Sequence, residues 1–207
     1  MNKADITALV TRSFAPLGDW WLDQYWELVK SHASARIKYY RFLYHLVRRL
    51  QPAVCIELGV EFGGASAHMA RAAQSYGGIV IGIDHQRCGQ PANEIPKMCE
   101  NYVYVVDDTV DAYKRISSYG GVKGCVGLVF QDSSHHYAPS VQEWELYSQL
   151  LAPGAVWVCD DITPAFFEKG VDEFSMVEYF DSLPGAHVKI ADVLHVGGGN
   201  TIGVVLL

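Results

Sequence analysis

Four side chains have the types and spacing for metal-assisted proton transfer. Asp132 and His135 stand three residues apart in Gln131-Asp132-Ser133-Ser134-His135-His136-Tyr137, and Asp160 and Asp161 follow an apolar run ending at Cys159. Carboxylates gathered beside an apolar crevice repel one another, and a divalent cation relieves that repulsion. A set of oxygen donors suits Mg2+, Ca2+ or Mn2+ better than zinc. A histidine, with an ordinary pKa of about 6.5, can take a proton from a hydroxyl whose acidity the cation has raised. Asp132, Asp160 and Asp161 are therefore the candidate metal ligands, and His135 is the candidate base. Plainer readings stand beside these. Asp161 could cap a helix starting after Thr163, His135 could be a structural donor, and His136 reads as a surface residue.

A second group surrounds the turn Glu57-Leu58-Gly59-Val60-Glu61-Phe62-Gly63-Gly64. Its glycines allow a tight turn and a close approach of ligand to backbone. Ser66 falls near the start of the following helix, where amide groups favour a carboxylate. A dinucleotide fingerprint needs glycine two residues after the first one, but that position is Glu61. An acid there opposes a pyrophosphate and suits a cation such as the sulfonium or amino group of S-adenosylmethionine. No Lys-Ser or Lys-Thr pair follows, so the turn is not a phosphate-binding P-loop. Asp84 ends the next apolar run, where an acid can accept hydrogen bonds from both hydroxyls of a ribose. Asp108 follows the third run and could accept from an adenine amino group or cap the helix beginning near Thr109. The candidate cofactor residues are Glu57, Gly59, Glu61, Gly63, Ser66, Asp84, Asp108 and Asp132.

These groups share one crevice only if particular elements carry them. From residue 53 onward, five short, almost wholly apolar runs cover residues 53–58, 78–83, 102–106, 125–130 and 155–159. Continuous hydrophobicity marks strands covered on both faces, as in a parallel sheet. Helix-length stretches near residues 66–75, 109–118 and 139–151 separate them, which predicts an α/β doubly wound fold. Ligands of such sheets bind at the carboxyl ends of the strands, where all the acids named above fall. Two further strand-like stretches, 187–193 and 201–206, flank Gly197-Gly198-Gly199-Asn200 and read as a hairpin. The expected sheet is Rossmann-like and seven-stranded, with five parallel strands and a C-terminal antiparallel hairpin. Residues 1–50 form a separate helical annex in this reading. Asp19 caps a helix over 20–30, a second runs over 35–50, and Pro52 ends the helical region. The aromatic residues Trp20, Trp21, Tyr25, Trp26, Tyr39, Tyr40 and Tyr44 could form a lid over a substrate, pack on the sheet, or support a homodimer.

Composition narrows the partners. The 207 residues are 50% hydrophobic and 19% charged, an ordinary globular balance. A net charge of −7 disfavours phosphate backbones, so nucleic acid is not an expected partner. No apolar run approaches the roughly 20 residues needed to span a bilayer. The polar start lacks the apolar stretch of a signal peptide, so a cytoplasmic protein is expected. The five cysteines form no C-x-x-C pair and read as reduced thiols rather than a zinc site.

With these residues in view, the chain resembles small metal-dependent class I O-methyltransferases over roughly residues 50–207. Nearest in texture are bacterial enzymes that methylate sugar hydroxyls of natural products and the cephalosporin hydroxylase–rhamnosyl methyltransferase group; catechol O-methyltransferase is similar at a greater distance. That family reads F-I-D-G-D-H-S-Y where this chain has Phe130-Gln131-Asp132-Ser133-Ser134-His135-His136-Tyr137. The resemblance implies Asp132, Asp160 and Asp161 as ligands, His135 as base, and Glu57, Gly59, Glu61, Ser66 and Asp84 at the cofactor. Ser134 replaces the family's second acid, removing one possible ligand. The implied activity is methyl transfer from S-adenosylmethionine to a hydroxyl of a small acceptor, a sugar or polyphenol. Two alternatives remain at this stage: a metal-independent methyltransferase of the same fold, and a non-catalytic cofactor- or partner-binding protein.

Overall fold

The computed structural model describes residues 1–33, 37–86, 90–162, 176–190 and 202–207. Three helices open the chain: α1 (Lys3–Arg12), α2 (Trp20–Ala33) and α3 (Ile37–Leu50). The first lies where the sequence reading places no helix. Its start is fixed locally, because the Asn2 side chain accepts from the Asp5 N–H while the Asp5 carboxylate accepts from the Asn2 N–H. This reciprocal cap satisfies two backbone donors that the first helical turn leaves open. Asp19 caps α2 as expected, accepting from the Trp21 and Leu22 amides.

The strands follow as β1 (Val54–Leu58), β2 (Ile79–Asp84), β3 (Tyr102–Val106), β4 (Val126–Gln131) and β5 (Leu151–Cys159), then β6 (Ala186–Ile190) and β7 (Ile202–Leu206). Helices α4 (Gly64–Gln74), α5 (Gln90–Met98), α6 (Thr109–Ile116) and α7 (Tyr137–Tyr147) connect the first five, and α8 (Met176–Ser182) precedes β6. The seven strands form one sheet in the order β3-β2-β1-β4-β5-β7-β6. Neighbours among the first five pair in parallel, and β7 pairs antiparallel with both β5 and β6. This is the expected sheet. The glycine-rich segment proposed as the hairpin turn, and the start of any helix after Thr163, lie outside the described residues.

Successive residues of a strand point to opposite faces, and the two cores follow that rule. Cys55, Leu128, Phe130, Val156 and Val158 pack with α1–α4, whereas Ile56, Leu58, Val129, Trp157 and Cys159 pack with α6–α8. Both faces are covered, which is why β1 and β4 read as unbroken apolar runs. At the sheet edge, β3 leaves Val103 and Val106 exposed.

The annex is part of the first core. Tyr39, Tyr40, Phe42, Leu43, Leu46 and Val47 form one buried stripe along α3, with Trp21, Tyr25 and Val29 beside it. Each such side chain contributes roughly 1.5–3 kcal/mol when fully buried. Trp20 stays 65% exposed. No helix among the described residues is long and apolar enough to cross a membrane.

Candidate active site

The strand ends are locked together by backbone bonds that run past the strands proper. The Gly59 amide donates to the Ile83 carbonyl at 2.9 Å, Asp132 to Leu58 at 2.8 Å, and Asp160 to Gln131 at 2.9 Å. The tips of β2, β1, β4 and β5 are thereby held at one level. Gly59 adds a close approach: its φ is +87°, and a Cβ built there would lie 2.1 Å from the Asp132 carbonyl oxygen. Only glycine fits between the turn and the Asp132 backbone.

A cavity of about 720 Å³ opens above these tips, of a size that suits a small-molecule ligand. Gly59, Glu61, Asp84, Asp108, Asp132 and His135 line it, together with Glu143. A wall this rich in carboxylates favours a cationic ligand. Of the remaining predicted cofactor residues, Glu57, Gly63 and Ser66 are buried beneath the turn rather than lining the cavity.

Asp84 has a second task that its position in the sequence does not reveal. Its Oδ2 accepts from the Val60 amide at 2.9 Å and the Glu61 amide at 3.0 Å. Its Oδ1 accepts from the Gln86 amide at 3.2 Å. The acid thus shapes the turn as well as facing the cavity, and it helps hold Glu61 at a φ of +48°, unusual for a residue with a side chain. Asp108 takes the capping role, accepting from the Val110 amide at 2.8 Å at the start of α6, and it also lines the cavity.

Glu57 sits 1% exposed under the turn. The Ser66 hydroxyl donates to its carboxyl and lies 2.9 Å from the Tyr102 hydroxyl. Burial pushes the Glu57 carboxyl well above the usual range; the Ser66 hydrogen bond opposes this, and the charges of Asp132 and Asp84 add to it. Ser66 therefore acts on Glu57 from inside the core.

At the tips of β4 and β5 the acids and the histidine converge. Single ligand atoms of Asp132, His135 and Asp160 all lie within 4.8 Å of one another. The His135 Nε2 is 3.4 Å from Asp132 Oδ1 and 3.5 Å from Asp161 Oδ2. Asp160 and Asp161 are each 1% exposed, and Asp161 has a φ of +50°.

The segment carrying Asp132 and His135 is fastened to α7 by residues that the sequence reading does not single out. Gln131 is 1% exposed. Its Nε2 donates to Glu143 at 2.8 Å and to the Ser140 carbonyl at 3.2 Å. Its Oε1 accepts from the Trp157 indole at 3.0 Å and the Tyr179 hydroxyl at 2.7 Å. Ser133 donates to Glu143 at 2.7 Å, and Ser140 donates to the Ser134 carbonyl at 3.1 Å. The one signal available in advance is that Gln131 and Ser133 both depart from the family pattern, each by gaining a hydrogen-bonding group.

A protein-family model for a methyltransferase domain matches residues 56–162, more than half of the chain. The chain belongs to this methyltransferase family. The matched span runs from β1 to the residue after Asp161, so it contains every candidate ligand, base and cofactor residue named above. The methyltransferase fold also appears in crystal structures of modest identity. An O-methyltransferase from Bacillus cereus in complex with SAH aligns at TM-score 0.71 and 16% identity, covering 96% of this chain and 95% of that one. The O-methyltransferase TomG of Streptomyces achromogenes, involved in tomaymycin synthesis and in complex with SAM, aligns at 0.68 and 18%, covering 91% and 90%. A methyltransferase from Geobacter sulfurreducens aligns at 0.62 and 17%, covering 100% and 98%. At these identities the likeness concerns the fold, from the N-terminal helices to the last strand. Among curated proteins, no sequence relative matches.

Proposed function

We propose that this methyltransferase transfers the methyl group of S-adenosylmethionine to a hydroxyl of a small acceptor, a sugar or polyphenol, with help from a divalent cation. The observation that carries the reading is the convergence of Asp132, His135 and Asp160 within 4.8 Å at the rim of an acid-lined cavity. The SAM- and SAH-bound O-methyltransferases of the same fold support it.

The residues fit both groups. Glu61, Asp84 and Asp108 line the cavity with negative charge, which supports binding of a sulfonium donor that carries an amino group and a ribose. Asp132 and Asp160, with Asp161 beside them, offer the oxygen donors that Mg2+ or Mn2+ prefers. A cation held there would act as a Lewis acid on the acceptor hydroxyl.

His135 takes the acceptor proton at Nε2, where the carboxylates of Asp132 and Asp161 face it. The acceptor oxygen forms the new O–CH3 bond as the S–CH3 bond breaks, and that bond's electron pair stays on sulfur. Because opposite charges are neutralised in this step, the protein's main contribution is to place the reactants in line. The shared backbone contact between Gly59 and Asp132 fixes the donor turn against the acceptor-side strand.

The test is a panel of phenolic and sugar acceptors, read as SAH formation. Asp160→Ala should abolish Mg2+-dependent turnover while leaving SAH binding nearly intact. Full turnover in EDTA would remove the cation from the reading. The same distances favour a second assignment in which His135 is itself a ligand. Nitrogen ligation shifts preference toward later transition metals, so a His135→Ala variant with weakened metal affinity, rather than reduced turnover alone, would select it.

A further inference from the structure

Two side chains hold the glycine turn, one on its amides and one on a carbonyl. Asp84 accepts from the amides of residues 60 and 61 beneath it. From the N-terminal annex, the Tyr25 hydroxyl of α2 donates to the Phe62 carbonyl at 2.6 Å. Glu61, whose side chain lines the cavity, lies between these two anchors.

The surroundings show that α2 and α3 are fitted to the turn. A Cβ at Gly63 would lie 2.7 Å from the Tyr25 hydroxyl, and one at Gly64 would lie 2.3 Å from the Tyr40 ring. Tyr25 itself is 2% exposed and packs against Trp21 at 5.4 Å between ring centroids. The hydroxyl therefore has little freedom to leave the Phe62 carbonyl. The turn also carries positive φ at Gly59, Glu61 and Gly63. A non-glycine residue in that region persists only where its surroundings determine it.

We infer that Tyr25 is a positioning residue of the donor site: through the Phe62 carbonyl it fixes the backbone that presents Glu61 to the cavity. The N-terminal annex is then a working part of donor binding. This rests on the reading of the cavity as a S-adenosylmethionine site. Removing the hydroxyl leaves the Phe62 carbonyl without its Tyr25 donor and lets the turn sample shapes in which Glu61 points elsewhere.

The experiment compares wild type, Tyr25→Phe and Val29→Ala in the full chain. Val29 is a buried residue four positions further along α2, so its truncation weakens the packing of the helix without removing the hydroxyl. Amide hydrogen exchange is followed over residues 59–64 without ligand, and SAH affinity is measured by calorimetry. In Tyr25→Phe, exchange in the turn should rise and SAH should bind about five- to tenfold more weakly. In Val29→Ala, Tm should fall with SAH affinity unchanged. Wild-type exchange and affinity in Tyr25→Phe overturn the inference alone. A proportional loss of affinity in Val29→Ala also overturns it, because helix packing then suffices. Failure of wild type to bind SAH overturns the donor reading and the inference together.

Discussion

Replacing Gly59 by alanine should damage stability and donor binding together, and the structure sets the scale. The new Cβ would lie 2.1 Å from the Asp132 carbonyl oxygen, 2.6 Å from its carbon and 2.8 Å from the Ser133 Cα. Ordinary carbon contacts are about 3.5–4.0 Å, so turn and strand must part by more than about 1 Å. The obstacle is backbone on both sides, and no side chain can swing away. The left-handed φ of +87° costs an alanine roughly 1–2 kcal/mol, and overpacking adds about 1–3 kcal/mol. The sum, about 2–5 kcal/mol, corresponds to a Tm loss of about 4–20 °C for a chain of this size. Gly124 supplies the control. Its φ is +75°, but a Cβ there meets nothing within 4 Å. Gly124→Ala should therefore carry only the conformational cost, about 1–2 kcal/mol. Displacement by about 1 Å at a reacting centre can cost about 100-fold, so SAH affinity of Gly59→Ala should fall about 10- to 100-fold, with that of Gly124→Ala unchanged. Scanning calorimetry and SAH titration measure both effects. Equal Tm losses in the two variants, or wild-type SAH affinity in Gly59→Ala, would refute the claim that turn and strand are in contact.

Three further outcomes are expected. Asp84→Ala removes the acceptor of two turn amides, so it should lower Tm by several degrees as well as weaken SAH binding; a variant that loses affinity with an unchanged Tm would leave Asp84 as a ligand contact only. Glu143→Ala strands the Gln131 amide and the Ser133 hydroxyl without their acceptor, which should cost about 2–4 kcal/mol in denaturant unfolding and reduce turnover through His135; full turnover would show that the Ser133 link to α7 is not needed. Burial holds the His68 imidazole down at about 4, against a hydrogen bond to the Gly64 carbonyl that raises it. The unfolded chain takes up this proton first, so the stability His68 provides is complete above about pH 6.5 and declines as pH falls toward 4, by roughly 3 kcal/mol in all. Unfolding measured from pH 7 to pH 4 should lose this component in His68→Leu; an identical pH profile would contradict it.

The sequence reading succeeds where pattern is local. Five apolar runs become the five parallel strands, with β1 and β4 at the centre covered on both faces and β3 partly exposed at the edge, and the acids at their ends meet because parallel strands finish at one edge. It falls short where a role depends on distant partners. Ser66 follows the turn closely enough to suggest a ligand contact, yet its hydroxyl is claimed by Glu57 and Tyr102. Gln131 and Glu143 stand twelve residues apart, and nothing in either segment announces that α7 folds back over the strand tip. The helix α1 hides in a polar stretch whose signature, Asn2 with Asp5, spans only four residues. The helix α5 contains Pro96, a residue that argues against a helix. The aromatic residues of α2 and α3 read equally well as lid or core, and burial places Trp21, Tyr25, Tyr39 and Tyr40 in the core.

The polar junction at Gln131 constrains how this region can change. One side chain there must donate twice and accept at least twice, at fixed positions. Glutamate would set a second acid against Glu143, asparagine falls one methylene short, and leucine deserts every partner at once. Each of these three replacements at 131 is therefore downhill, and an apolar junction would need changes at 131, 133, 143, 157 and 179 together, because the Trp157 indole and the Tyr179 hydroxyl also lose their acceptor. Efforts to redesign the acceptor side of the cavity will have to move these positions as a block.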